Sequence, residues 1–222
     1  MATTMRPVLC PHCGAQVRKN GYCSECYLPL SMLKKAQNTS NYYYNIGYDR
    51  ASARDLSGAI ESLLQALRYN KRNVPARNLL GLIYYEMGEV SEALVQWVIS
   101  MNFREQDNRA DYYLDQIQRK QDRLDQASAT IQKYNQALLQ AQTGSDDLAT
   151  LQLTRVVEAN PRFVKAHLLL ALLHISHEDY TKAGKSLYKV LKIDKNNPKA
   201  NWYMEIVKEH TGKADIERRK LK

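Results

Sequence analysis

Four alanines recur at one spacing, and this spacing constrains the fold more than any other feature of the chain. Ala59 and Ala93 are 34 residues apart, and so are Ala149 and Ala183. Three further pairs repeat at the same distance: Gly47 and Gly81, Ala76 and Ala110, and Ala166 and Ala200. A period of this length indicates one repeated supersecondary unit, which buries its apolar face only by stacking on neighbouring copies.

The repeat is clearest in residues 74–101, VPARNLLGLIYYEMGEVSEALVQWVISM, which the apolar spacing predicts to be two amphipathic helices around a turn at Gly88. Apolar residues at helical spacing flank this turn: Leu79, Leu80, Ile83 and Tyr84 before it, and Val90, Ala93, Leu94 and Trp97 after it. The small residues Gly81 and Ala93 are expected where the two helices cross closely.

These residues resemble the signature of the tetratricopeptide repeat, whose period is about 34 residues. The matching positions are Leu80, Gly81, Tyr84, Gly88, Ala93 and Trp97, with Pro161 at the proline that closes a repeat. The resemblance covers most of residues 41–212. It implies an all-α solenoid of antiparallel helix pairs and a role in protein–protein interaction.

The four cysteines form two C-x-x-C pairs, Cys10 with Cys13 and Cys23 with Cys26, within CPHCGAQVRKNGYCSEC. Thiolates at this spacing can bind one tetrahedral Zn²⁺ at about 2.3 Å each. A thioredoxin-like redox pair would need a βαβ context, which the sequence lacks. We therefore predict one structural zinc ion held by all four cysteines.

The cysteine segment resembles the short zinc ribbons at the N-termini of many bacterial proteins. The resemblance implies a closed site, since four protein thiolates leave no open position for a substrate water. Tyr27 departs from the pattern, because many such ribbons carry glycine after the fourth cysteine. His12 is surplus to the four ligands, and we expect it to be exposed.

The repeat register divides the chain into segments. We expect a four-cysteine zinc ribbon at 1–30 (with a loose tail over 1–8), a linker helix at 31–39, a repeat array at 40–212 and a charged tail at 213–222. Within the array, repeats are expected at about 40–73, 74–107, 130–163 and 164–197, and a capping helix at 198–210. The polar cluster Asn38–Asn41 is interpreted as the start of the first repeat helix.

The repeat phase breaks between the second and third repeats. Neither glycine nor proline occurs between Asn108 and Thr143, and an apolar residue recurs every seven positions: Ile117, Leu124, Ile131 and Leu138. We expect a long inserted helix over 108–142, or two helices with a joint near 125–128. The intervening seam positions are mixed, which favours packing within the chain over a dimeric coiled coil.

Charge and targeting signals limit the partners and the compartment. The net charge of +9 permits nucleic acid, anionic lipid or acidic protein partners. The basic residues are spread along the chain among acidic ones, which favours a solvated surface. No signal peptide and no apolar run of about 18 residues is visible, so we expect a reducing cytoplasm and no transmembrane segment.

Catalytic residues in a recognisable arrangement are missing from the sequence. No phosphate-binding glycine loop is present, and the chain is not predicted to be an enzyme. His174 and His177 could share one helix face, but a third metal ligand cannot be assigned. His174 occupies the signature aromatic position of its repeat, so packing between helices is the preferred interpretation.

The first helix of each repeat lines the concave side of such a solenoid. The repeat register assigns to this groove Tyr44, Asn45, Tyr48, Asn78, Leu82, Tyr85, Trp202 and Tyr203. An apolar, tyrosine-rich groove suits an amphipathic helix or an extended peptide. Alternatively, these side chains pack against the inserted helix.

Some family members bind the C-terminal carboxylate of a peptide with a lysine–asparagine clamp. Tyr44 and Tyr48 occupy two of the clamp positions here, so this function is not expected.

Two functions remain open at this point. The favoured one is a non-catalytic scaffold that binds a protein partner in the concave groove. The alternative is a nucleic-acid-associated protein that uses its basic surface and the ribbon residues Arg18 and Lys19. The sequence identifies neither the partner, the pathway nor the oligomeric state.

Overall fold

The computed structural model describes residues 8–220 except 11, 19 and 120, and it leaves out the side chains of 118, 121–124 and 213–220. The tail predicted at 1–8 thus lies outside the described residues apart from Val8, as do the last two residues of the charged tail. Ten α-helices occupy the described part: α1 Leu30–Ser52, α2 Leu56–Tyr69, α3 Val74–Glu86, α4 Val90–Phe103, α5 Arg109–Gln118, α6 Gln121–Gln142, α7 Asp146–Ala159, α8 Val164–Ser176, α9 Tyr180–Ile193 and α10 Pro198–Lys220. The predicted all-α repeat fold is confirmed.

Small residues lie where the two helices of each pair cross, as the sequence indicates. The four repeating alanines at 59, 93, 149 and 183 are all fully buried. A Cβ on Gly81 would overlap the Trp97 indole, and a Cβ on Gly47 would lie 2.8 Å from Leu63 Cγ. These glycines therefore let α1 and α3 approach the helices that follow them.

The turn inside each repeat uses one left-handed residue at a fixed position. These residues are Arg54 (φ 61°), Gly88 (φ 76°), Gly144 (φ 78°) and Glu178 (φ 59°). The next helix then starts at a capping side chain in two of the four turns, where Asp55 accepts a hydrogen bond from Gly58 N and Asp179 accepts one from Lys182 N. The left-handed residue ends one helix and reverses the chain toward the next.

The predicted helix start at Asn38–Asn41 is wrong, because α1 runs without a break through this cluster and joins the linker helix to the first repeat helix. Ser40 is fully buried, and its hydroxyl donates a 2.8 Å hydrogen bond to Ala66 O. Asn73 donates in turn to Ser40 Oγ. The polar residue thus binds the end of α2 and the start of α3 instead of capping a helix.

The inserted segment is two helices, α5 and α6, which are separated near residue 119 and not at the expected 125–128. The second half of α6 pairs with α7 as the third repeat. Ala137 and Ala149 are fully buried in a shared core, where the Tyr134 ring lies 4.9 Å from that of Phe163. The insertion therefore ends as part of the array.

The first half of the array (α1–α4) lies against the second half (α6–α10), which the sequence did not indicate. Met87 O accepts a 3.1 Å hydrogen bond from Val164 N, and Gly88 O accepts a 3.0 Å bond from Asn160. A second contact joins Lys195 N to Arg54 O at 2.9 Å. Turns inside the first two repeats therefore lie against the loops that connect the later helices.

A buried carboxylate strengthens the second of these contacts. Asp194, between α9 and α10, is fully buried and accepts hydrogen bonds from Leu56 N at 2.9 Å and Ser57 N at 3.2 Å. The Ser57 hydroxyl and Asn197 also donate to it. Its negative charge lies at the N-terminus of α2, where the helix dipole favours an anion.

Candidate metal centre and candidate binding cavity

Each C-x-x-C pair forms one tight turn, and the two turns have matching hydrogen bonds. Cys10 N donates to Ala15 O at 2.8 Å, and Cys23 N donates to Leu28 O at 2.9 Å. The residue after each pair is left-handed, Gly14 at φ 83° and Tyr27 at φ 57°. This conformation explains why a glycine is common at the position of Tyr27, since a side chain there is strained.

The two turns bring the four sulfur atoms together. Cys10 Sγ lies 3.5 Å from Cys26 Sγ, Cys13 Sγ lies 3.4 Å from Cys23 Sγ, and all four lie within 4.8 Å of one another. A tetrahedral Zn²⁺ with bonds of about 2.3 Å separates its sulfur ligands by about 3.8 Å. The cysteines are free thiols, and their spacing fits such an ion.

Four thiols in this arrangement do not ionise independently. Burial opposes ionisation of Cys23, but the N–H groups of Cys26 and Glu25 outweigh it and lower the pKa of this thiol to about 6. At Cys26 the Leu28 N–H favours the thiolate, but burial and the neighbouring sulfur atoms raise the pKa to about 12. A divalent cation would resolve this conflict, because it binds all four groups as thiolates.

The ribbon is attached to the repeats at two points. Leu33 of α1 is 4% exposed and packs in one cluster with Cys10 and Cys23. A Cβ on Gly14 would overlap the guanidinium of Arg72, which also stacks 4.9 Å from the ring centre of Phe103. The candidate metal centre therefore lies against the first two repeats.

A cavity of about 680 Å³ lies where α3, α4, α5 and α6 meet the loop before α8. Its apolar walls are Leu82, Tyr85, Val90, Trp97, Tyr113, Ile117, Ala127 and Pro161, and its polar lining includes Gln116, Gln126, Thr130, Asn160 and Arg162. The Trp97 ring centre lies 6.1 Å from that of Tyr85 and 5.1 Å from that of Tyr113. Three aromatic rings thus form a continuous row along the cavity.

Of the predicted groove residues, Leu82 and Tyr85 line this cavity, and the other six lie elsewhere. Asn78 hydrogen-bonds Asn108 and Ser100 inside the protein. Tyr44 and Tyr203 pack against the main core. Tyr48, Trp202 and Asn45 are exposed, with 54% of Tyr48 and 60% of Trp202 accessible to solvent.

Sequence reasoning missed the cavity residues supplied by the insertion, notably Tyr113, Ile117 and Gln126. The seven-residue spacing placed Ile117 on an apolar stripe, but it did not show that α5 packs on α4 beside Trp97. The position of Tyr113 could have been predicted, because Ala110 lies 34 residues after Ala76 and therefore places α5 where the first helix of a repeat would lie.

The two histidines considered as metal ligands have other roles in the fold. His177 Nε2 lies 3.6 Å from Asp146 Oδ2. Burial lowers the pKa of His174, which agrees with a packed position. Among the residues that the structure describes, the four cysteines are the only group of three or more potential ligands close enough to bind one ion.

A family model described as tetratricopeptide repeat matches residues 44–98 and 134–198, which is more than half of the chain. The chain belongs to the tetratricopeptide-repeat family. Both matched stretches coincide with the two halves described above, and membership supports a role as a protein–protein interaction scaffold. No curated protein has a significantly similar sequence.

Several solved structures match this chain at low sequence identity. A tetratricopeptide repeat protein from Parabacteroides merdae is 20% identical, with 82% of this chain and 64% of that chain covered and a TM-score of 0.36. MamA from Desulfovibrio magneticus is 17% identical, with 78% and 86% covered and a TM-score of 0.34. The chain thus spans less than two thirds of the first protein's length. Within the described residues, no helix is long and apolar enough to cross a membrane.

Proposed function

We propose that this tetratricopeptide-repeat protein is a non-catalytic cytoplasmic scaffold that binds a peptide or helix of a protein partner in the cavity between its two halves. The observation that carries the proposal is the row of rings from Tyr85, Trp97 and Tyr113 beside an open volume of about 680 Å³. Pockets that bury most of a small ligand have about 300–1,000 Å³. The volume suits one or two large apolar side chains of a partner segment.

Within the row, the three rings have different roles. Trp97 is 1% exposed and donates a 3.2 Å hydrogen bond to Asn78 O, so it stabilises the repeat. Tyr85 and Tyr113 are partly exposed and can bury further area on binding. Aromatic side chains of this kind contribute most of the binding energy in many interfaces. Tyr85 and Tyr113 are therefore the proposed anchors.

Polar groups at the cavity suit a peptide backbone. The amides of Gln116 and Gln126 supply donors and acceptors from α5 and α6. Arg162 forms a 2.8 Å ion pair with Glu86 at the rim, so its charge is compensated within the protein. These features favour an apolar segment with backbone hydrogen bonds over a strongly acidic one. The exposed Tyr48 and Trp202 are proposed to extend the contact beyond the cavity.

Site-specific photo-crosslinking tests this site. A photoreactive phenylalanine analogue at position 85 or 113 is expected to capture one partner segment in the native cell, and mass spectrometry identifies the crosslinked peptide. Position 112 is the matched control, because Tyr112 is 62% exposed on the same helix but does not line the cavity. Equal capture of the same peptide from position 112 would contradict the proposed site.

One structural zinc ion is proposed to complete the ribbon, held by Cys10, Cys13, Cys23 and Cys26. Its support is the donor set and the sulfur spacing, and its chemistry is structural, since all four ligands come from the protein. We propose a cytoplasmic location, because a reducing compartment keeps cysteines available as metal-binding thiolates.

Nucleic-acid binding through the ribbon is the alternative function, and the ribbon gives it little support. Arg18 donates to Ser24 O and lies 5.7 Å from the ring centre of Tyr27, so its guanidinium is engaged within the ribbon. Lys19 lies outside the described residues. Binding to DNA that disappears when Arg18 alone is replaced would favour this alternative.

A further inference from the structure

The outer face of α9 carries a row of four lysines. Lys182, Lys185, Lys189 and Lys192 follow one another at intervals of three and four residues, which places them on one side of the helix. All four are exposed. With a rise of 1.5 Å per residue, the row is about 15 Å long. We refer to these four residues as the lysine row.

Three of the four lysines in the row have no ion-pair partner among the described side chains. Residues 180–199 contain six lysines and a single acidic residue, Asp194, which is fully buried against the start of α2. Among the side chains that the structure describes, Lys182 is the member of the row that forms an ion pair, 2.7 Å from Asp179. The outward face of α9 is therefore strongly positive.

One aromatic side chain lies beside the row. Tyr188 is 58% exposed, and Lys192 Nζ lies 4.9 Å from the centre of its ring. The rest of the large apolar surface of α9 faces the core, where Ala183, Leu187 and Val190 are fully buried. A row of basic side chains is typical of surfaces that bind a nucleic-acid backbone, and an exposed ring beside it can stack on an unpaired base.

We propose that the lysine row binds the phosphodiester backbone of a nucleic acid, independently of the cavity and of the ribbon. The two strands of a duplex together carry one phosphate per 1.7 Å or so of helix axis, so phosphates lie along the whole length of a row of about 15 Å. Lysine binds phosphate as a point charge and does not read base edges as the planar arginine fork does. The contact is therefore expected to depend on charge and not on sequence.

Two other anions fit the row less well. A helix that binds a lipid surface inserts its apolar face, and the apolar face of α9 is already buried in the core. An acidic protein segment usually adds apolar anchors to its charges, whereas Tyr188 is the one large apolar side chain that α9 exposes. A nucleic-acid backbone, with its regularly spaced phosphates, can bind the lysine row without further apolar contacts.

The salt dependence of DNA binding by the full chain tests the proposal. A fluorescent 20-base-pair duplex of mixed sequence is titrated at 50 and 200 mM NaCl. With phosphate contacts from the three lysines that have no ion-pair partner, binding is expected to weaken about 40-fold between these concentrations. The triple variant Lys185→Gln, Lys189→Gln and Lys192→Gln removes these contacts and leaves Lys182 paired with Asp179, so its affinity should be much lower at 50 mM and depend little on salt.

A second triple variant controls for net charge. Lys34→Gln, Lys71→Gln and Lys133→Gln remove the same charge from exposed positions on α1, in the loop before α3 and on α6. This variant should keep the steep salt dependence, and both variants should melt at the wild-type temperature. An equal loss in the two variants would overturn the proposal, as would wild-type binding to polyglutamate or to vesicles with anionic lipid that is as tight as binding to the duplex.

Discussion

At the scale of single residues, the left-handed turn position is occupied differently in the four repeats. Gly88 and Gly144 adopt this conformation at little cost, whereas Arg54 and Glu178 have a Cβ atom and adopt it under strain. The turn geometry is therefore set by the packed helices, and the residue type adapts to it.

We expect Glu178→Gly to raise the free energy of unfolding by about 0.5–1 kcal/mol, because glycine removes the strain at φ 59° but adds freedom to the unfolded chain. Urea unfolding followed by circular dichroism measures the change. Glu178→Ala is the control, since it removes the exposed carboxylate and keeps the strain. Equal stabilisation by both variants would attribute the effect to charge.

The ion pair between Glu89 and Lys165 makes the stability of the protein depend on pH. Glu89 is 3% exposed, and its carboxylate lies 2.6 Å from Lys165 Nζ. Burial raises the pKa of Glu89, and Lys165 opposes this shift without cancelling it. Glu89 thus has a higher pKa in the folded than in the unfolded protein. Its proton binding therefore contributes fully to the free energy of unfolding below the unfolded pKa of about 4.5, and this contribution is lost as pH rises through the folded pKa.

We expect Lys165→Met to destabilise the protein by about 2 kcal/mol at pH 7, because the ionised carboxylate of Glu89 stays buried without its cation. This loss is smaller than the cost of about 3–5 kcal/mol that is typical of a broken buried ion pair, because Lys165 is half exposed. The loss should shrink at pH 5, where Glu89 is more often protonated. Glu89→Gln should change stability by less than about 1 kcal/mol at pH 7. Unfolding curves at both pH values measure this, and a loss independent of pH would contradict it.

At the scale of elements, the ribbon and the repeats have separate cores joined through Leu33 and Arg72. We expect elemental analysis of freshly purified protein to find about one zinc per chain. Chelation should unfold residues 8–29 and leave the helical signal almost unchanged, because metal binding stabilises only the ribbon. Full zinc retention in a variant with Cys10→Ser and Cys23→Ser would exclude the four-cysteine site.

At the scale of the whole molecule, Gly88 fixes how the two halves meet. A Cβ at this position would lie 2.8 Å from backbone atoms of Arg162 and Phe163. Gly144 has the same backbone conformation, but a Cβ there meets nothing within 4 Å. Alanine at position 144 therefore measures the free-energy cost of the left-handed conformation alone, and alanine at position 88 measures this cost together with that of the disturbed contact between the halves.

We expect Gly144→Ala to cost about 1–2 kcal/mol for its left-handed conformation alone. Gly88→Ala should cost a further 1–3 kcal/mol or so, because the added methyl group forces the halves apart. Thermal melts compare the two variants, and small-angle scattering should show a larger radius only for Gly88→Ala. Equal melting temperatures would mean that the contact between the two halves contributes little to stability.

The parts of the molecule that repeat or follow a fixed spacing could be predicted, and the parts set by single distant contacts could not. The helix pairs follow from the 34-residue period, and the predicted metal ligands follow from C-x-x-C spacing. The contact of Met87 with Val164 joins loops far apart in sequence and has no periodic signal. The burial of Asp194 likewise depends on a distant contact, its hydrogen bonds with the start of α2, and has no signal in the local sequence.

The affinity of the crosslinked partner peptide, measured by calorimetry, tests the central claim most directly. Replacing Tyr85 and Tyr113 by alanine together should weaken binding more than tenfold, since each anchor contributes about 1–2 kcal/mol. Tyr112→Ala should bind as the wild type does, and Trp97 remains to hold the repeat together. Unchanged affinity in the double variant, with an unchanged melting temperature, would show that the partner does not bind in the cavity.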